Sequence, residues 1–120
     1  MHSEKDVALL HQMFGLSASQ SLADMPDAAG ITLLRSNNGN EYCFPFMFDS
    51  GFVPQVICTL KKANDTHIRY LIHVWKDHAL DVPSHDLRRA LISLHPENRN
   101  ALLMLAGENG YAILPLGDTM

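Results

Sequence analysis

Asn38-Gly39 constrains this chain more than any other dipeptide, because it stands between two runs rich in β-prone residues, "ITLLRS" and "EYCFPFMF". Asn and Gly both enter the left-handed region that a tight hairpin turn demands, so the flanking runs are expected to pair as antiparallel strands. With those two residues at the tip, Arg35 would face Tyr42 and Leu33 would face Phe44. One side of the hairpin would then collect Ile31, Leu33, Tyr42, Phe44, Phe46 and Phe48, which reads as a core face. Pro45 cannot donate to a ladder and puts its strand at an edge or turns it outward there.

The same reasoning extends to "QVICTLKK-ANDT-HIRYLIHVW", read as a second hairpin turning on Asn64-Asp65. That pairing sets Lys62 against His67, Leu60 against Arg69, Cys58 against Leu71 and Val56 against His73. Four strands with short turns suggest an antiparallel meander. On the N-terminal side, Ser3 with Asp6 fits a helix cap, and Val7, Leu10, Met13 and Phe14 share a helical face until Gly15. Ser17 with Gln20 suggests a further helical turn, closed by Pro26. On the C-terminal side, Ser84 reads as an N-cap. Leu87, Ala90, Leu91 and Leu94 follow at helical spacing, and Pro96 ends the helix at His95. In the tail, Gly107-Glu108-Asn109-Gly110 resembles a hairpin turn between "ALLMLA" and "YAILPL". The expected fold class is therefore α+β: an N-terminal helix, a four-stranded, mainly antiparallel meander sheet, then a helix and a C-terminal strand or hairpin. At 120 residues the chain is expected to form a single domain over 1–120.

Charge narrows the function. The net charge is −4, the acids are scattered, and Lys61, Lys62, Arg69 and Lys76 make only a local basic spot. That falls short of the basic stripe used on phosphate backbones, so no nucleic-acid partner is expected. No apolar run is long enough to span a bilayer, and the first residues lack the pattern of a secretory signal. A cytoplasmic protein with no membrane partner is the expectation. Cys43 and Cys58 are too few for a disulfide framework and lack metal-ligand spacing.

Chemistry-bearing residues concentrate in "HIRYLIHVWKDH", His67 to His78. In a strand, Ile68, Tyr70, Ile72 and Val74 take one face, while His67, Arg69, Leu71, His73 and Trp75 take the other. His67 and His73 stand roughly 20 Å apart at strand rise, too far to share one metal ion. The chain also lacks a nucleophile elbow, a phosphate loop and a metalloprotease helix. No catalytic residue, metal ligand or cofactor is therefore assigned. Trp and Arg favour an interface reading. The face of His67, Arg69, Leu71, His73 and Trp75, with Lys62 beside it, is expected to bind another protein or a second copy of the chain, as a homodimer or as an inhibitor, immunity protein or chaperone would. The alternative is a small-molecule-binding domain, or a small His/Asp-dependent enzyme, with a pocket between helix and sheet that uses His73 or His78 with Asp77 or Asp81.

Overall fold

The computed structural model describes residues 3–46, 51–107 and 110–120. Among the described residues six strands form a mixed sheet: β1 (Gly30–Ser36), β2 (Glu41–Phe46), β3 (Ile68–Trp75), β4 (Leu80–Asp81), β5 (Leu102–Gly107) and β6 (Gly110–Pro115), ordered β2-β1-β3-β5-β6, with β4 paired to β3. β3 and β5 are parallel and the other pairs antiparallel. The α+β class is as expected, whereas the four-stranded meander is not.

The difference arises at Phe52–Lys62, expected to include a strand and found to be a helix, α3. Its β-branched Val53, Val56, Ile57 and Thr59 favour strand locally. Their placement obeys a different period. Phe52, Val56 and Leu60, spaced by four, are buried, while Gln55, Cys58 and Lys62 face water. Pro54 is harmless in the first turn, where its missing N–H would have had no helical partner. Asn64-Asp65, read as a β-turn, ends this helix instead. Asn64 takes φ +52°, and the Asp65 amide donates to the Leu60 carbonyl at 3.1 Å. With a helix between them, β2 and β3 cannot be hairpin neighbours, and β3 pairs with β1.

The first hairpin forms where expected, with Gly39 at φ +87°, but its register is one residue off. The loop spans four residues, closed by the Ser36 amide on the Asn40 carbonyl, so Arg35 faces Glu41 and Leu34 faces Tyr42. A slip of one residue exchanges faces. Tyr42, Phe44 and Phe46 therefore pack with Leu34, while Ile31 and Leu33 point to the opposite side with Cys43. Phe48, placed in the same stripe by the sequence, lies outside the described residues.

Both sheet faces are covered. α3 and α4 (His85–Leu94) pack on one, closing a core of Leu34, Phe44, Val56, Leu60, Leu71, Leu87, Leu91 and Leu103. The N-terminal segment covers the other, where Leu10 and Met13 meet Ile31, Leu33, Ile72, Val74 and Met104. This segment does not stop at Gly15: α1 (Glu4–Gln12) runs through a π-helical turn, Met13–Ala18, into α2 (Ser19–Asp24). Gly15 keeps helical company because its neighbours Met13 and Ala18 are pinned against the sheet. The caps at Ser3 and Ser84 form as expected, and α4 ends ahead of Pro96. The C-terminal strands pair as a hairpin, and β2, with Pro45, is an edge strand. No described helix is long and apolar enough to cross a membrane.

Candidate functional site

The structure divides the residues singled out from the sequence. Lys62 lies exposed at the end of α3, not opposite His67. Leu71 and His73 lie beneath the α3–α4 layer, 0% and 2% exposed, so the expected binding face does not stand free. Arg69 is exposed, while His67 and Trp75 are half-buried. His67 stacks flat on His95, ring centroids 4.7 Å apart, at the opposite end of β3 from Trp75. Asp77 accepts from the Ala79 amide and His78 takes φ +68°, so both shape a turn. Of that group only Asp81 reaches the histidine-bearing strand, as the register partner of His73.

What remains together is a compact constellation at the C-terminal end of β3. His73 Nδ1 lies 2.9 Å from the Thr32 hydroxyl on β1, its register partner. The Trp75 ring stands edge-on to His73 at 4.6 Å, and its indole N–H donates to Asp81 at 2.9 Å. Phe46 closes the group, with its ring centroid 5.2 Å from His73, 5.4 Å from Trp75 and 5.1 Å from Phe52. Phe52 opens α3, and α4 begins three residues beyond Asp81 at its Ser84 cap. The cluster thus sits where a central strand ends and two covering helices start, the usual place for a ligand in an open α/β sheet.

Burial holds His73 below the ordinary imidazole range, and nearby Asp81 only partly offsets that effect. The ring is therefore neutral at neutral pH, with one nitrogen engaged by Thr32. A neutral, positioned imidazole can accept a proton, and the aromatic edges around it can hold a flat ligand. Thr32 and Phe46 were missed in the sequence. Thr32 was the one polar residue inside the apolar run Ile31–Leu34, and Phe46 was absorbed into an aromatic core stripe.

Gly30 makes the cluster possible. It pairs with both Phe46 and Trp75, and a Cβ there would come within 2.6 Å of the Val74 carbonyl oxygen and 3.2 Å of the Trp75 ring. Gly30→Ala is expected to destabilise the fold by about 2 kcal/mol, since backbone cannot give way as a side chain can. Chemical denaturation followed by Trp75 fluorescence checks this; a change below about 0.5 kcal/mol, the size of an ordinary surface substitution, would show that the contact is relaxed.

No protein-family model matches the chain, and no curated protein is detectably similar in sequence. Solved structures do share the fold. A cytidine deaminase from Bacillus anthracis superposes with a TM-score of 0.64 at 13% identity, covering 92% of this chain and 86% of that one. A mutant cytidine deaminase from Mycobacterium tuberculosis gives 0.56 at 15% identity, covering 85% and 87%. The likeness contradicts the expectation of a non-catalytic protein that docks its sheet on a partner. It agrees better with the alternative, a small-molecule-binding domain or small enzyme.

Proposed function

We propose that this chain is a small-molecule-binding domain on a deaminase-like fold, and that its ligand is held at the C-terminal end of β3 by Trp75, Phe46 and His73. The observation that carries this is the buried, neutral His73, fixed by Thr32 and flanked by the Trp75–Asp81 pair. The shared fold adds support by analogy only. Proton transfer by His73 is the chemistry such a site could perform.

The zinc of the nucleobase deaminases does not fit these residues. Those enzymes bind it through His and Cys ligands in an H-x-E…P-C-x-x-C pattern. Here Pro83-Ser84-His85-Asp86-Leu87 keeps the proline and the spacing but has Ser84 and Leu87 where the thiolates would be. Ser84 caps α4 by accepting from the Leu87 amide, and the Leu87 side chain is in the core. The two cysteines lie on opposite sides of the sheet, Cys43 packed toward the N-terminal helices and Cys58 exposed on α3. Burial also pushes the Cys43 thiol up, away from the thiolate a metal needs. Among the described residues no three His, Cys, Asp or Glu side chains gather into a metal site. His95-Pro96-Glu97 matches H-x-E but follows α4, and His95 Nδ1 accepts from the Glu97 amide.

Trp75 is the only tryptophan, so its fluorescence reports directly on this site. Titration with a panel of flat nitrogen heterocycles, cytidine included, is expected to quench or shift that emission. His73→Gln should weaken the response about tenfold, the equivalent of one lost hydrogen bond to a buried group. EDTA should leave both binding and Tm unchanged. A panel that never perturbs Trp75 removes the site, and stoichiometric zinc in the purified protein removes the metal-free reading.

A further inference from the structure

A cleft of about 180 Å³ lies toward the opposite end of β3 from the His73 cluster and is lined by Lys5, Arg35 and Arg69 together with Asn37, Tyr70 and Leu9. Three of the nine Lys and Arg residues of an acidic chain thus converge on one concavity, from α1, β1 and β3. The Lys5 ammonium makes no ion pair or hydrogen bond among the described residues. Arg69 donates to the Asn37 side-chain oxygen at 3.3 Å and lies over the Tyr70 ring at 5.8 Å, so its guanidinium is held in place. Arg35 reaches across the hairpin tip, with Nη2 4.0 Å from where a Cβ on Gly39 would stand. No carboxylate is among the residues lining this cleft. Glu41 pairs with Arg35 at 3.6 Å, and on the other side of Arg69 a neighbouring cleft is lined by Asp6, which accepts from the Tyr70 hydroxyl, and by Glu97. The charged groups of the lining itself are thus all cationic, and the guanidinium forks suit a multidentate oxyanion.

We propose that this cleft binds the phosphate group of a small phosphorylated molecule, with Arg69 as the central ligand and Lys5 and Arg35 completing the charge match. The site is separate from the His73 cluster and does not depend on the function proposed for it. The leucine and tyrosine of the wall would pack against the organic part of the ligand.

The full chain at neutral pH is titrated with inorganic phosphate and, at matched ionic strength, with sodium chloride, following Tm and heat of binding. Phosphate should raise Tm and chloride should not. Arg69→Gln should weaken phosphate binding about tenfold, as expected for loss of a charge-assisted contact. Lys5→Gln should weaken it less. Lys61→Gln, on the far helix α3, should have no effect. Equal responses to phosphate and chloride would overturn the proposal. So would an unchanged affinity in Arg69→Gln, or an equal loss in Lys61→Gln, which would mean a diffuse field and no site.

Discussion

Asn98→Ala is expected to cost about 3 to 5 kcal/mol, the largest effect of any single substitution considered, because it removes three buried hydrogen bonds at once and strands the Ile68 amide and the Thr66 carbonyl. The Asn98 side chain is fully buried and joins three elements. Its amide donates to the Leu91 carbonyl at 2.8 Å and to the Thr66 carbonyl at 2.9 Å, and its oxygen accepts from the Ile68 amide at 2.7 Å. These bonds close the end of α4, the approach to β3, and β3's first residue. Alanine removes all three bonds: the Leu91 carbonyl keeps the His95 amide at 3.4 Å, while the Ile68 amide and the Thr66 carbonyl lose the Asn98 side chain. Urea denaturation of the variant should show a lower midpoint with an unchanged slope, and its far-UV spectrum should stay native at low urea. A loss under about 1 kcal/mol would mean that those groups find other partners.

Asp65→Ala is expected to cost about 2 to 3 kcal/mol, somewhat less because two of the groups it would abandon reach solvent. The carboxylate, 4% exposed, accepts from Asn38 at 3.0 Å, Asn40 at 2.9 Å and the Tyr42 hydroxyl at 2.8 Å. It therefore fastens the tip of the first hairpin to the end of α3. Burial opposes its charge, but the hydrogen bonds from Asn40, Ser36, Tyr42 and Asn38 outweigh burial and hold the carboxyl below its ordinary value of 3.8. A carboxyl depressed in the folded state contributes fully above its unfolded pKa. That contribution is lost as pH falls through the lower, folded value. Wild-type stability should therefore drop in the acid range below about 3.8, and Asp65→Asn should flatten that part of the profile. Parallel profiles for the two proteins would show that Asp65 does not carry the acid sensitivity.

Both residues were invisible as functional or structural hubs in the sequence. Asn98 stood in "HPENRN", a polar stretch that reads as loop, and Asp65 looked like half of a turn signal. Local chemistry marked Asp65 as part of a turn and gave Asn98 no role. Their partners are 23 to 32 positions away or across a helix end, and no local pattern encodes such pairings. The site residues divide similarly. His73 and Trp75 were legible because alternation along β3 gave them a common face. Thr32, Phe46 and Phe52 joined them only when β1 and β2 were laid beside β3 and α3 was seen to start there.

Features governed by short-range sterics and capping were legible in the residues themselves. These are the Asn38-Gly39 turn, the Ser3 and Ser84 caps, the stop before Pro96, the edge position of Pro45 and the C-terminal hairpin. Each is decided within a few residues by φ preference, by a capping hydroxyl or by a missing N–H. Tertiary structure decided whether Phe52–Lys62 would be helix or strand, which strand lay beside β3, and whether the His73 face met water. Those outcomes depend on which apolar faces can be buried together. Burial of Phe52, Val56 and Leu60 against Leu34 and Leu71 overrode the β preference of the residues between them.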